Sequence, residues 1–290
     1  MKIRLLVCLL LAVVAAGCAR KAENAPPVAT PEVTLSRPEA ALGSPIDVTF
    51  RFRVAPDARF DGDYWVFVHY LDSDRELMWT DDHKPEVPSS QWKPGQVVEY
   101  TRTLFIPIYP YVGDATIEIG LYKPGTPGRL ALAAPDAGQR SYRVAKLQLR
   151  PQTDNVFLVY KDGWHQEESL PDNAAVQWYW TKKDATVAFK NPRRDCVLYL
   201  DLDGQPRFLS DAQTVSVIVG NQVVNSFRLD SKEQAIHRIP ISAGQLGTTD
   251  MVELTLTVDN TFVPALLPAA NSRDSRELGI RVFHAFLMPQ

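Results

Sequence analysis

The chain has 290 residues, 45% of them hydrophobic and 22% charged, with a formal net charge of −3. That is enough apolar material to bury sizeable cores, at a length that predicts more than one domain. No basic stripe or polybasic run accompanies the mild acidity, which argues against nucleic acid as a partner and against electrostatic attachment to anionic lipid.

The chain opens with "MKIRLLVCLLLAVVAAG", residues 1–17, in which Lys2 and Arg4 precede an unbroken apolar run from Leu5 to Ala16. This is the layout of a secretory signal. A bilayer-crossing helix needs roughly 20 apolar residues, so cleavage is expected rather than retention. The stretch Val14-Ala15-Ala16-Gly17-Cys18 resembles the lipobox of bacterial lipoprotein precursors, with Ala15 standing where that family usually has Leu. The resemblance implies that Cys18 is acylated and becomes the mature N-terminus, partnering a membrane through a lipid anchor. The alternative is an ordinary signal peptide that happens to contain a cysteine. Ala19, where an aspartate would favour the inner membrane by resemblance to enterobacterial sorting rules, implies the outer membrane, with the protein facing the periplasm or the cell exterior. Loss of residues 1–17 removes two basic and no acidic groups and takes the formal charge from −3 to −5.

Residues 18–31 are expected to be the lipidated cysteine and a flexible tether, because "ARKAENAPPVATP" is rich in Ala and Pro and poor in large apolar groups. Extended, it would reach ~45 Å. Beyond it the pattern is one of strands. "IDVTFRFRV", "DYWVFVHYLD" and "VVEYTRTLFIP" are followed by "ATIEIGLY", where Ala115, Ile117, Ile119 and Leu121 alternate with Thr116, Glu118, Gly120 and Tyr122. Period-2 alternation predicts strands with one buried face. After "SYRVAKLQL" the polar "RPQTDN", residues 150–155, marks a boundary. The apolar pattern then restarts through "VQWYWTKKDATVAF", "CVLYLDL", "TVSVIVG", "VVNSFRL", "VELTLTVD" and "LGIRVFHAFL". Helical spacing is confined to single turns at "SAGQLG" and in part of "SKEQAI". The expected fold is therefore all-β, with two antiparallel β-sandwich domains over residues 32–149 and 153–290. In "DCVLYLDL", Cys196 shares parity with Leu198, Leu200 and Leu202, so its thiol is expected in the core and inert.

Candidate chemistry is sparse. Between Trp79 and Trp92, Asp81, Asp82 and His83 form a polar loop just past a strand end. One histidine and two adjacent aspartates fall short of the three or four ligands of a zinc site, so no metal is expected there. Asp72, Asp74 and Glu76, and likewise Asp201 to Gln205, space like parts of a calcium loop but lack its glycine and distal glutamate. Asp-rich hairpin turns account for both. No G-x-S-x-G, H-E-x-x-H, C-x-x-C or glycine-rich phosphate loop occurs, so neither a cofactor nor an enzymatic activity is expected. A dispersed carboxylate pair acting on glycosides stays open as a minor alternative.

The aromatic clusters point elsewhere. Trp164 stands on a turn in "KDGWHQEESL", and Trp178 and Trp180 share one side of a strand with Tyr179 on the other. Rings flanked by groups such as Asp274 and Arg276 suit sugars, whose C–H faces stack on aromatics while hydroxyls bond polar groups. The competing reading is that the tryptophans fill the core.

Through "DGWHQEES", "VQWYWTKKDATVAFKNP", "VSVIVGNQVVNSFRL" and "NSRDSRELGIRVFHAFLM", the second domain resembles accessory β-sandwiches of bacterial membrane glycosyltransferases and cell-envelope proteins. Those are similar to carbohydrate-binding modules in their jelly-roll-like organisation. Through "WVFVHYLDSDRELMWTDDHKPEVPSSQWKPGQVVEYTRTLFIP", the first resembles immunoglobulin-like sandwiches. No transmembrane helices and no catalytic domain accompany them, so the resemblance implies only the accessory, binding portion. The function expected is a lipid-anchored, non-enzymatic envelope lipoprotein whose sandwiches bind a polysaccharide or an envelope protein. The alternative is a structural or assembly lipoprotein acting by protein contact.

Overall fold

A computed structural model describes residues 25–205, 208–209 and 211–290. The expected signal peptide and the Cys18 attachment point lie outside the described residues. Among the described residues no helix is long and apolar enough to cross a membrane. The chain divides into two compact units. One gathers residues 25–39 with Asp47–Arg102 and Tyr109–Leu149; the other gathers Ala40–Ile46, Thr103–Ile108 and Arg150–Gln290.

The first ten strands are β1 (Ala29–Leu35), β2 (Glu39–Ala41), β3 (Pro45–Val54), β4 (Trp65–Leu71), β5 (Leu77–Thr80), β6 (Val97–Phe105), β7 (Gly113–Tyr122), β8 (Arg129–Leu130), β9 (Asp136–Gly138) and β10 (Ser141–Arg150). They form a sheet β1-β3-β6 and a second, β2-β10-β7-β4-β5, to which β8 and β9 add. The main strands alternate as their sequences require. Val66, Val68 and Tyr70 of β4 and Ala115, Ile117, Ile119 and Leu121 of β7 are wholly buried, facing the same interior as Phe50 and Phe52 of β3. β1 begins at Ala29, inside the stretch expected to be tether, because Ala29 and Pro31 continue the inward parity against β3. Gly120 is fixed by packing: a Cβ there would lie 2.3 Å from the Phe67 ring and 2.7 Å from the Arg140 carbonyl.

The second ten are β11 (Val159–Tyr160), β12 (Glu168–Leu170), β13 (Asn173–Trp180), β14 (Asp184–Lys190), β15 (Cys196–Asp203), β16 (Gln213–Val219), β17 (Gln222–Leu229), β18 (Ala235–Ile241), β19 (Met251–Val258) and β20 (Arg281–Pro289). They make two five-stranded sheets, β11-β14-β19-β16-β17 and β12-β13-β20-β15-β18. The pairings among these strands are antiparallel. Omitting the short β11 and β12, each sheet holds four strands, the double-sheet order of a jelly roll. The chain is thus all-β, as its alternation requires. Between the sheets lie Leu198, Leu200 and Leu202 of β15, Val215, Val217 and Val219 of β16, and Val252, Leu254, Leu256 and Val258 of β19. Cys196 joins this core at 2% exposure, where burial pushes its thiol pKa up.

Two elements depart from expectation. β18 takes up the last two residues of "SKEQAI", whose first three form a bend, and continues as a strand that was not expected; it lies at a sheet edge, where Pro240 is tolerated. Asp203, read as the start of a hairpin turn, continues β15 beyond the expected "CVLYLDL", and both it and Asp201 are buried. "SAGQLG" does form one helical turn, Ala243–Leu246, closed by a capping box between Ser242 and Gln245.

Candidate functional site

The tryptophan pair sits on β13, between β12 and β20. Glu168 pairs with Trp178 and Arg281 with Trp180, while Tyr179 pairs with Val282, which faces the main core. Opposite parity therefore sends Trp178 and Trp180 to the outer face of the sheet. They are nonetheless only 8% and 9% exposed, because they cluster with Phe262 and Leu278 of the segment 259–280, against which Leu209, Leu267 and Phe283 also pack. That segment is pinned by reciprocal backbone bonds between Phe262 and Leu278, at 2.9 and 2.8 Å. The indoles are thus the floor of a small second core, and their flat faces are not open for stacking a sugar.

Arg281 runs through this floor. Its guanidinium lies 5.1 Å from the Trp178 ring, 5.9 Å from Trp180 and 5.2 Å from Phe283, and it pairs with Asp203, whose side chain is 3% exposed. Asp203 also accepts from Gln205 Nε2 at 3.3 Å. The network continues through Gln213, which accepts from the Gln205 backbone N–H at 3.0 Å and donates to the carbonyls of Asn260 and Gly279 at 2.8 and 3.0 Å. Buried polar groups are satisfied in this way, and the chain of bonds ties β15 to the covering segment.

Above the floor, polar groups are open. Arg276 Nη2 lies 2.6 Å from Asp274 Oδ2 and 2.6 Å from Glu168 Oε1, and Arg276 Nε donates to Asp274 Oδ1 at 3.0 Å. The three side chains are 37, 24 and 33% exposed for Arg276, Asp274 and Glu168. Glu168 Oε2 accepts from Trp180 Nε1 at 3.3 Å, so the rim rests on the aromatic floor. The Arg276 hydrogen bonds hold the Asp274 carboxyl below the usual carboxylate range, and the same bonds push the Arg276 pKa up. His165 Nε2 donates to the Glu277 carbonyl at 2.7 Å, which fixes its proton on Nε2, since a carbonyl only accepts.

Trp164 lies apart from Trp178 and Trp180. It is half-buried against the main core, its indole N–H donating to the Thr186 carbonyl at 2.8 Å and its ring edge-on to Tyr160 at 4.7 Å. The turn that delivers it needs Gly163, at φ +87°, where a Cβ would meet the Asp184 carbonyl oxygen at 1.8 Å. The structure therefore brings Trp180, Asp274 and Arg276 together, with Trp178 beneath and Trp164 elsewhere. Glu168 and Arg281 were not singled out in sequence, and Asp203 only as part of an Asp-rich turn. Asp203 had a usable signal, the parity that sends Asp201 and Asp203 opposite to Leu200 and Leu202.

In the first unit, Asp81, Asp82 and His83 follow the end of β5, and their side chains are pinned by hydrogen bonds. His83 bridges to Val66, extending pairing beyond β5, and is 5% exposed. Its Nδ1 donates to the Asp81 carbonyl at 2.8 Å, so its Nε2 lone pair accepts from Tyr100 Oη at 2.8 Å. No ring nitrogen is left for a metal. Burial is the main cause that lowers the His83 pKa. Asp81 takes two bonds from Arg102, at 3.1 and 2.8 Å, and Asp82 Oδ1 accepts from the Val68 backbone N–H at 3.3 Å. Among the described residues no cluster of three or more His, Cys, Asp or Glu is placed to hold a metal ion.

No protein-family model matches the chain, and no curated protein matches it. Among solved structures it is similar to the CBM51-2 and INT domains of ZmpB from Clostridium perfringens, at 10% identity and TM-score 0.27, covering 63% of this chain and 38% of that one. A structure of the same domains with CBM51-2 in complex with GlcNAc gives 9% identity and TM-score 0.25, covering 63% and 39%. The tandem CBM22-1-CBM22-2 domains of Xyn10C from Paenibacillus barcinonensis give 6% identity and TM-score 0.27, covering 90% and 91%. The chain spans less than two fifths of the length of the first two. Likenesses this low assign neither family nor ligand. Fold and site define an all-β protein of two antiparallel units, the second carrying an open polar rim on a buried aromatic floor.

Proposed function

We propose that the protein is a lipid-anchored, non-enzymatic component of a bacterial cell envelope, held at the outer membrane by acyl chains on Cys18, whose sandwiches bind a glycan. The observation that carries the binding role is the Arg276 rim. It offers guanidinium donors and two carboxylate acceptors side by side, at partial exposure, on a rigid support. Sugar hydroxyls both donate and accept, and such paired groups suit them. The Arg276 hydrogen bonds hold the Asp274 carboxyl below the usual carboxylate range, which keeps it an acceptor for such hydroxyls.

Affinity electrophoresis of the full chain in gels containing envelope polysaccharide fractions tests the proposal. Retardation by at least one fraction, lost in Arg276→Ala with an unchanged melting temperature, is the expected result. Equal mobility of parent and variant in every fraction would overturn it.

A second reading, protein-protein assembly, draws on the edge strand β11, where Val159 is 50% exposed, and on Phe157 just before it, 58% exposed. Sheet edges accept added strands from partners. Cross-linking in intact cells from a photoreactive group at position 157 would give one discrete adduct if this reading holds.

A further inference from the structure

The outer face of the sheet in the first unit carries a site that none of the candidate residues above includes. We propose that it binds an oxyanion, the carboxylate or phosphate group of a ligand. A cavity of about 480 Å³ opens there, lined by Arg75, Glu118, Arg143 and Lys146 together with Leu71 and Thr116. That volume falls within the range of small-molecule sites.

Three features build it. On β10, Arg143 pairs with Glu118 and Lys146 pairs with Thr116, although residues three apart on a regular strand point to opposite faces. A bulge between Arg143 and Ala145 restores them to one face. Bulges re-aim side chains in this manner, often beside functional sites. Arg75, from the turn before β5, holds the left-handed conformation at φ 66°, uncommon for a residue with a Cβ. That turn is fixed by Asp72 Oδ1, which accepts from the backbone N–H groups of Asp74 and Glu76 at 2.9 and 2.8 Å.

Glu118, 5% exposed at its side chain, is the organiser. Its Oε1 lies 3.2 Å from Arg75 Nη2 and 3.5 Å from Arg143 Nε, and its Oε2 accepts from Ser141 Oγ at 2.7 Å. Both carboxylate oxygens are thus engaged, and both guanidiniums are oriented from beneath. Arg75 and Arg143 remain 51% and 49% exposed, and Lys146 is exposed with no acidic partner among the described residues. Three cations against one buried carboxylate leave a formal +2 on the lining of a protein that is acidic as a whole. A guanidinium has five N–H donors and the contacts to Glu118 use one nitrogen of each, so donors remain for an incoming oxyanion.

The site stands whether or not the second unit binds a glycan, and calorimetric titration of the full chain tests it. The titrants are inorganic phosphate, polygalacturonate as a carboxylated polymer, and dextran as a neutral one. Saturable binding of phosphate, of polygalacturonate or of both is expected, weakening as salt rises, with no uptake of dextran. Phosphate alone identifies a compact oxyanion as the ligand, and polygalacturonate alone a carboxylated chain. In the double variant Arg143→Ala, Lys146→Ala, both exposed positions, affinity should fall at least tenfold with the thermal transition unchanged. Glu118→Gln should weaken binding as well; if it fails to fold, the double variant decides. Absence of binding to both anions, equal binding of dextran, or undiminished affinity in the double variant overturns the proposal.

Discussion

Arg281 shows how much one side chain carries in the second unit, because it neutralises Asp203 and also packs on three aromatic rings. Removing one partner of a buried pair leaves the other charged and unpaired, which costs about 3–5 kcal/mol. Arg281→Met should therefore destabilise the unit by about that much in urea unfolding, and adding Asp203→Leu should restore part of the loss. His83 makes a separate, pH-linked prediction. Its folded pKa is lowered chiefly by burial, so the unfolded chain binds more protons as pH falls below the ordinary histidine value. Its contribution is present above about pH 6.5 and is lost as pH falls through the depressed folded pKa. Asp274 acts in the same direction but further down, its share fading as pH falls below the ordinary carboxylate range, because Arg276 lowers its folded pKa. Unfolding followed from pH 8 to pH 5 should show the parent weakening more steeply than His83→Gln. Equal slopes would contradict the assignment.

At the scale of elements, alternation made most long strands readable. β7, β15 and β19 bury the residues their parity selects, because one face of each meets a core. β18 was hidden by Pro240 and by the polar His237 and Arg238 within it, features that edge strands tolerate. The tryptophans show where parity stops. It placed Trp178 and Trp180 on one side and Tyr179 on the other, but could not reveal that 259–280 folds back over the outer side. That cover depends on contacts between residues some eighty positions apart, such as Trp180 with Phe262 at 5.9 Å between ring centres. Arg276 and Asp274 were legible as polar neighbours, whereas Glu168 joined them only through the pairing of β12 with β13. If the floor is core, Trp178→Ala should cost about 3–5 kcal/mol, the range for deleting a buried aromatic. A loss below about 1 kcal/mol, the scale of surface changes, would return Trp178 to the surface. Gly163→Ala tests the turn below Trp164. A Cβ at φ +87° and 1.8 Å from a carbonyl oxygen cannot be seated without moving β14, and a loss of at least ~1–3 kcal/mol is expected.

For the whole molecule, charge and anchor lead to one argument about location. With residues 1–17 removed the formal charge is −5, so the protein has no general electrostatic attraction to an anionic leaflet, and the +2 lining near Glu118 is a local exception. Retention at a membrane would then rest on the acyl chains proposed for Cys18. Each buried CH₂ contributes about 0.8 kcal/mol, and one chain alone holds only transiently, whereas several hold firmly. Acyl burial is insensitive to ionic strength, while charge attraction is screened within about 3 Å at 1 M salt. The parent protein should therefore stay with the membrane fraction through a 1 M salt wash and take up labelled palmitate. Cys18→Ala should take up none and appear in the soluble fraction, with its two units folded as before. Release of the parent by salt, or equal labelling of the variant, would mean that something other than the eighteenth residue holds the protein in place.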